Sequence, residues 1–190
     1  MMRSLAVLLG LLLAGCAPHM QKVDTGELTV GDRLLLTIEG PWNHINAPGL
    51  GPAQTWTMEG LPIDTLLVYS GVKNDDLIVP DRSGGQKTFK FQSVMQPDQI
   101  VAMFEGMLTR DGSSFKLVKL EPATFGGEKG FRFEYSLIRR VDNVQLSGLG
   151  YAAVSKGELF ALLYSAPRLT FFSRHQGRVD QIARSARLKM

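Results

Sequence analysis

The sequence predicts an α+β domain built around a mostly antiparallel sheet. Most of the chain consists of short apolar or alternating stretches separated by glycine, proline and asparagine, which is typical of strands joined by turns. Two longer segments, after Pro97 and after Pro167, instead repeat apolar residues every three or four positions, as helices do. The resulting order of strands, helix, strands and helix is typical of the α+β class. With 190 residues, 44% of them hydrophobic, the chain can bury one sizeable core.

The first half of the chain contains three strong strand candidates. Residues 34–38, 55–59 and 63–69 are rich in leucine, β-branched and aromatic side chains, and the loops beside them contain glycine and proline. We expect these strands to pair as a meander. Residues 88–91, Thr-Phe-Lys-Phe, alternate polar and apolar side chains, which predicts a further half-buried strand.

The clearest helix is predicted over residues 97–110. Pro97 suits the first helical position, where a backbone N–H would have no partner within the helix. Asp98 complements the positive end of the helix dipole. The apolar side chains of this segment fall on one face, and we expect the turn residues Asp111 and Gly112 to end the helix.

Four more strands and a second helix are predicted after the first helix. The strands cover residues 115–120, 131–137, 144–154 and 159–164. The last of them is apolar on both faces, so we expect it at the centre of the sheet. The second helix is predicted to open at Pro167, with an apolar face of Phe172, His175, Val179, Ile182 and Ala186. The opposite face is basic and consists of Arg174, Arg178, Arg184 and Arg187.

The N-terminal segment has three parts that belong together. Arg3 supplies a positive charge, residues 5–14 form an apolar run, and residues 13–15, Leu-Ala-Gly, precede Cys16. Residues 13–16 resemble the lipobox of bacterial lipoproteins. The resemblance implies a signal peptide over residues 1–15, cleavage before Cys16, and a diacylglycerol on its thiol with an acyl chain, such as palmitate, on the new amino group. Two or three acyl chains hold a protein firmly on a membrane.

The lipobox resemblance also implies a location. Ala17 is not the aspartate that lipoprotein sorting tends to read as retention in the inner membrane, so we expect the periplasmic face of the outer membrane, with the inner membrane as the alternative. Residues 16–26 have no apolar periodicity and are expected to form the lipidated cysteine and a tether. Residues 27–190 are expected to form the single α+β domain. No apolar run reaches the roughly 18 residues that span a bilayer.

Three short motifs resemble the Mog1/PsbP-like lipoproteins of Gram-negative bacteria. They are residues 95–100 (Met-Gln-Pro-Asp-Gln-Ile), the hairpin over residues 125–133, and residues 163–167 (Leu-Tyr-Ser-Ala-Pro) before the last helix. The resemblance implies an α/β/α sandwich around an antiparallel sheet. Proteins of this fold serve as assembly, docking and binding modules, so the resemblance implies little about activity.

Motifs that would indicate catalysis, metal binding or nucleic-acid binding are weak in this sequence. His19, His44 and His175 are not spaced as metal ligands, and we expect no metal site and no cofactor apart from the lipid on Cys16. The Gly126-Gly127 segment lies between two strands, where a turn fits better than a phosphate loop. Removal of Arg3 with the signal leaves 20 basic and 18 acidic side chains, so we expect no nucleic-acid partner.

We therefore expect a non-catalytic module that binds a protein partner or an envelope component. The candidate binding residues are Trp42 and His44 in a loop rich in glycine and proline, together with Arg174, Arg178, Arg184 and Arg187 on the last helix. A cell-envelope hydrolase or remodelling enzyme, and a carrier of a small apolar ligand, are the alternatives. The sequence leaves the oligomeric state open.

Overall fold

The computed structural model describes residues 19–46, 51–81 and 88–189. The predicted signal peptide and Cys16 lie outside these residues. The described elements are the strands β1 (His19–Val23), β2 (Gly26–Val30), β3 (Leu34–Ile38), β4 (Trp42–Asn46), β5 (Gln54–Thr57), β6 (Thr65–Val72), β7 (Ser114–Phe125), β8 (Glu128–Ile138), β9 (Gln145–Ser155), β10 (Glu158–Pro167) and β11 (Arg187–Leu188), and the helices α1 (Pro97–Leu108) and α2 (Ser173–Ser185). A π-helical turn, Arg168–Phe172, joins β10 to α2.

The strands form one large and one small antiparallel sheet. The large sheet has eight strands in the order β1-β4-β5-β6-β10-β9-β8-β7. Strand β10 lies inside the sheet between β6 and β9, as its uniformly apolar sequence predicts. The small sheet has the order β11-β3-β2.

Two hydrophobic cores lie on opposite faces of the large sheet. On one face α1 buries Ile100, Phe104 and Met107 against β6 and β8–β10, forming the α1-side core. On the other face, α2 and the small sheet cover the α2-side core, which includes Trp42 and Trp56. Helix, sheet and helix therefore form three layers, and the predicted α+β class is confirmed.

Local sequence explains where α1 begins and ends. The Gln99 side chain accepts a hydrogen bond from the Gln96 backbone N–H at 2.8 Å, which satisfies one free donor at the helix start. Pro97 occupies the first helical position, as predicted. The helix ends at Leu108, two residues before the predicted end, and Gly112 has a φ of 90°, a conformation that glycine adopts without strain.

The N-terminal region departs from the sequence prediction. Residues 19–23 are not part of an irregular tether but form β1, which pairs with β4 and buries Val23. The folded part of the chain therefore starts before residue 27. The sequence signal is weak here because β1 is an edge strand in which residues 20–22 are exposed, so no alternating pattern is present.

Three further elements differ from prediction. Strand β3 does not join the meander, since it pairs with β2 and β11 in the small sheet. The predicted strand over residues 88–91 is reduced to a single bridge between Leu77 and Lys90, although Phe91 is fully buried. Pro167 ends β10 instead of opening a helix, because α2 follows only after the π-helical turn.

None of the helices in the described residues is long and apolar enough to cross a membrane.

Candidate functional site

Helix α2 divides the predicted basic surface into two parts. His175, Val179 and Ile182 are buried against the sheet, as their spacing predicts. Arg174 and Arg178 lie at the first half of the helix, beside the β5–β6 turn, whereas Arg184 and Arg187 lie at its end. The four arginines therefore do not form one continuous binding face.

A buried carboxylate builds the turn against which α2 begins. Asp64 is 1% exposed and accepts hydrogen bonds from the Thr57 hydroxyl at 2.5 Å and from the Glu59 backbone N–H at 2.8 Å. The Met58 backbone N–H donates to the same carboxylate. The Thr57 hydroxyl in turn accepts from the Gly60 backbone N–H at 2.9 Å. These contacts fix the backbone that carries the Glu59 side chain.

Glu59 joins this turn to α2. Its Oε1 atom lies 2.7 Å from His175 Nε2 and 3.2 Å from Arg174 Nη1. The hydrogen bond with His175 is the main reason that the pKa of Glu59 is lowered, and Arg174 adds to the effect. Within the described residues, the buried hydroxyl of Tyr164 and the Nδ1 atom of His175 have no hydrogen-bond partner.

The Glu59–His175 pair has the composition of an acid–base pair but not the access of one. The His175 ring is only 3% exposed, and Glu59 occupies its Nε2 atom. A general base must reach the proton that it removes, directly or through one water. The pair therefore suits a structural contact that holds α2 on the sheet.

A second contact of this kind lies further along α2. Arg132 donates to Glu134 at 2.6 Å and to the Tyr151 hydroxyl at 3.1 Å, and that hydroxyl donates to Asp180 on α2 at 2.8 Å. The helix is thus joined to the sheet by polar contacts near its start and near its middle.

His44 and Trp42 occupy different environments. His44 is half-buried on the wall of an open cleft of about 420 Å³ between β1 and β2, whose other lining residues include Gln21 and Thr29. Burial lowers the pKa of His44. Trp42 is fully buried in the α2-side core, and its ring contacts Trp56 and Tyr164. The prediction that Trp42 is exposed to a partner is wrong, because the residue belongs to β4 and not to a loop.

An apolar groove of about 410 Å³ lies beside the π-helical turn. The bulge between Leu117 and Lys119 leaves Val118 without a cross-strand partner and 60% exposed. Phe172 and Arg168 form the opposite wall, and Leu169 next to them is 86% exposed. We call this site the Val118–Phe172 groove.

Two adjoining clefts are lined by basic side chains, which we call the C-terminal basic surface. One cleft of about 210 Å³ is lined by Arg33, Lys156 and Lys189 together with Asp32. A cleft of about 380 Å³ is lined by Arg184 and Arg187 beside the Gly126-Gly127 turn. Leu188 connects the two, since its backbone N–H donates to the Gly126 carbonyl at 3.1 Å and its side chain lines the first cleft.

Within the described ranges, no three His, Cys, Asp or Glu side chains come together as metal ligands.

Comparisons with known proteins identify the fold. The solution structure of a cyanobacterial PsbP (CyanoP) from Synechocystis sp. PCC 6803 matches with a TM-score of 0.60, over 93% of this chain and 96% of that chain. This chain has a PsbP-like fold. LpqN of Mycobacterium tuberculosis, described as involved in cell envelope biogenesis, matches with a TM-score of 0.50 over 90% of this chain and 92% of that chain.

The sequence identities to these two structures are 15% and 14%, so the likeness establishes the PsbP-like fold and not the activity. No protein-family model matches the sequence, and no curated protein sequence matches it significantly.

Sequence reasoning found the residues of α2 in this PsbP-like domain but missed their partners. Glu59 lies 116 residues before its partner His175, and Lys156 lines one of the basic clefts from the β9–β10 turn. Only the pairing of distant strands brings these groups together. The signals that could have indicated them are single charged residues in turns, which are common on any protein surface.

Proposed function

We propose that this protein is a lipoprotein of the outer membrane whose PsbP-like domain docks a protein partner on the periplasmic side without catalysing a reaction. The observation that carries the proposal is the lipobox-like segment ending in Cys16, the single cysteine of the chain, only three residues before β1. A folded domain directly after such a segment is the arrangement expected of an anchored module.

The Val118–Phe172 groove is the site that we propose for the partner. Exposed Val118 lines the groove, and exposed Leu169 follows Arg168 of the groove wall, so both offer apolar contact area to a partner. Lys116 and Arg168 lie on the groove wall, whereas its one acidic residue, Glu134, already pairs with Arg132 at 2.6 Å. The charge favours a protein segment that carries apolar side chains flanked by acidic ones.

The structural neighbours and the described polar groups are consistent with this role. LpqN is described as involved in cell envelope biogenesis, and this chain shares its architecture. His175 is buried and Glu59 occupies its Nε2 atom, so the proposal assigns the pair to the contact between helix and sheet.

Anchoring is tested by metabolic labelling with palmitate and by separation of the two membranes on a density gradient. We expect label on the wild-type chain and on the control Ala17→Ser, no label on Cys16→Ser, and outer-membrane density for the labelled chains. Ala17→Asp should keep the label and move to the inner membrane. An unlabelled wild-type chain with an intact N-terminus would overturn the anchoring.

Docking is tested by site-specific photo-crosslinking in cells. A crosslinker at Leu169 should capture a discrete protein partner, and one at Val94, which is 78% exposed in the loop before α1, should not. Val118→Glu should abolish the Leu169 product because it adds a negative charge inside the groove. If the product persists in Val118→Glu, or if Leu169 and Val94 capture the same proteins, the groove is not the docking site.

A further inference from the structure

We infer that the C-terminal basic surface lies on the anionic phospholipid headgroups of the membrane that holds Cys16, and so sets the orientation of the domain. This inference rests on the proposed anchoring. It adds a second membrane contact that the lipid alone does not provide, and it leaves the Val118–Phe172 groove free for a protein.

The charge of the surface comes from side chains on three separate segments of the chain, namely Arg33, Lys156 and residues 184–189. Its two clefts are lined by five basic side chains and one acidic side chain, Asp32. Glu158 pairs with Arg33 at 2.7 Å. Within the described residues, the side chains of Arg184 and Lys156 make no hydrogen bond or ion pair, so their charges are available to an outside anion.

Part of the surface has a role within the fold. Arg187 Nη1 donates to the carbonyls of Ala186 and Arg184 at 2.7 and 3.1 Å, which caps the end of α2. Lys189 Nζ donates to the Thr29 hydroxyl at 2.8 Å. Both side chains remain exposed, and an anionic headgroup can bind the remaining N–H groups of the Arg187 guanidinium.

The proposed anchor, Cys16, is close enough to the C-terminal basic surface for both to contact one membrane. Gln21 and Thr29 both line the His44 cleft between β1 and β2, and the Thr29 hydroxyl accepts the hydrogen bond of Lys189 Nζ. Gln21 lies five residues after Cys16, a span of at most about 18 Å. A membrane that holds Cys16 is therefore within a short distance of the basic clefts.

The occupant that fits is a membrane surface and not one small anion. The basic groups are spread over two open clefts instead of converging on one point. Each basic residue near an anionic bilayer strengthens binding by about fivefold. Several weak contacts of this kind are enough to orient a domain that a lipid already holds at the surface.

The test uses the chain from Cys16 onward, which keeps every described residue, coupled through its single thiol to a maleimide lipid in vesicles. The vesicles contain either phosphatidylcholine alone or equal parts of phosphatidylcholine and phosphatidylglycerol. Lysine acylation rates are then measured by mass spectrometry. Lys116 is the internal control, because it lies on β7 about 33 Å along the strand from the Gly126 turn.

We expect the acylation of Lys156 and Lys189 to slow about fivefold or more on the anionic vesicles, with Lys116 unchanged. Arg184→Gln/Arg187→Gln should abolish this slowing, and Arg184→Lys/Arg187→Lys should retain it because the charges are kept. Arg110→Gln/Arg140→Gln removes two exposed arginines outside both proposed binding surfaces and should leave the slowing intact. Circular dichroism confirms that each variant is folded.

Equal acylation rates on the two kinds of vesicle, or slowing that survives in Arg184→Gln/Arg187→Gln, would overturn the inference. Because the maleimide coupling does not depend on modification in cells, this result is separate from the palmitate experiment. An unmodified Cys16 in cells overturns the proposed function, whereas equal rates on the vesicles overturn this inference alone.

Discussion

The buried carboxylate of Asp64 shows how one residue can organise a turn. It accepts hydrogen bonds from two backbone N–H groups and one hydroxyl, and within the described residues no basic side chain donates to it. The sequence does not distinguish Asp64 from any other polar residue at the start of a strand. In contrast, the sequence predicts the place of His175 on the apolar face of α2, and the residue is buried there.

Asp64→Ala should lower the free energy of unfolding by about 3 kcal/mol, because several N–H and O–H donors lose a charged acceptor in a buried site. Urea unfolding measures the change. Asp24→Ala removes a carboxylate that is 91% exposed and 3.9 Å from Lys22, and it should change stability by no more than about 0.5 kcal/mol. Equal effects of the two variants would show that the Asp64 network does not stabilise the turn.

Glu59 should make the stability depend on pH in the acid range. Its pKa is lowered below the ordinary value of 4.5 in the folded state, mainly by the hydrogen bond with His175. The folded state therefore favours the charged form, and this stabilisation is present above about pH 4.5 and lost as the pH falls through the folded pKa.

The comparison variant is Glu59→Gln, which cannot ionise. Its deficit in unfolding free energy relative to the wild type should be largest above about pH 4.5 and should shrink at lower pH. Urea titrations across the acid range measure it, with Glu105→Gln on the exposed face of α1 as the control. A deficit that is independent of pH would contradict the assigned role of the Glu59 charge.

Among the elements, β9 contains glycines for a packing reason. The rings of Tyr135 and Phe133 lie across Gly148 and Gly150, so a Cβ atom at Gly150 would come within 2.1 Å of the Phe133 ring. In contrast, a Cβ at Gly177 in α2 would meet nothing within 4 Å. Gly150 therefore has no room for a larger side chain, whereas Gly177 has.

Gly150→Ala should therefore destabilise the protein by about 1–3 kcal/mol through overpacking. Gly177→Ala should stabilise it by about 0.5–1 kcal/mol, because alanine is the better helix former. Thermal unfolding shows whether the first variant is less stable and the second more stable than the wild type. A neutral Gly150→Ala would mean that the Phe133 ring moves aside without cost.

The elements that could be predicted are those with a strong local pattern. Helix α1 and strands β7–β10 have clear periodicity and turn residues between them, and each was found within a few residues. The small sheet could not be predicted, because the pairing of β3 with β11 joins segments about 150 residues apart. The bulge at Val118 is also invisible in the sequence, since it depends on the register between β7 and β8.

In the molecule as a whole, one sheet connects two cores. Alternating residues of β6 and β10 face opposite sides, so that Leu162 belongs to the α2-side core and Leu163 to the α1-side core. Both tryptophans of the chain, Trp42 and Trp56, lie in the α2-side core. Their fluorescence therefore reports on only one side of the sheet.

Phe104→Ala, in the α1-side core, should lower the free energy of unfolding by about 3–5 kcal/mol. We expect the tryptophan fluorescence and far-ultraviolet circular dichroism transitions to shift together, because the shared strands couple the two cores. Val94→Ala, at an exposed position, is the control. A tryptophan transition that stays in place while circular dichroism shifts would show that the cores unfold independently.

The early start of β1 limits how far an anchored domain can act. Only Ala17 and Pro18 separate Cys16 from His19, and three residue steps span roughly 10 Å even when fully extended. With the proposed lipid on Cys16, the folded domain would stay next to the bilayer, so a partner would have to come to the membrane surface to reach it.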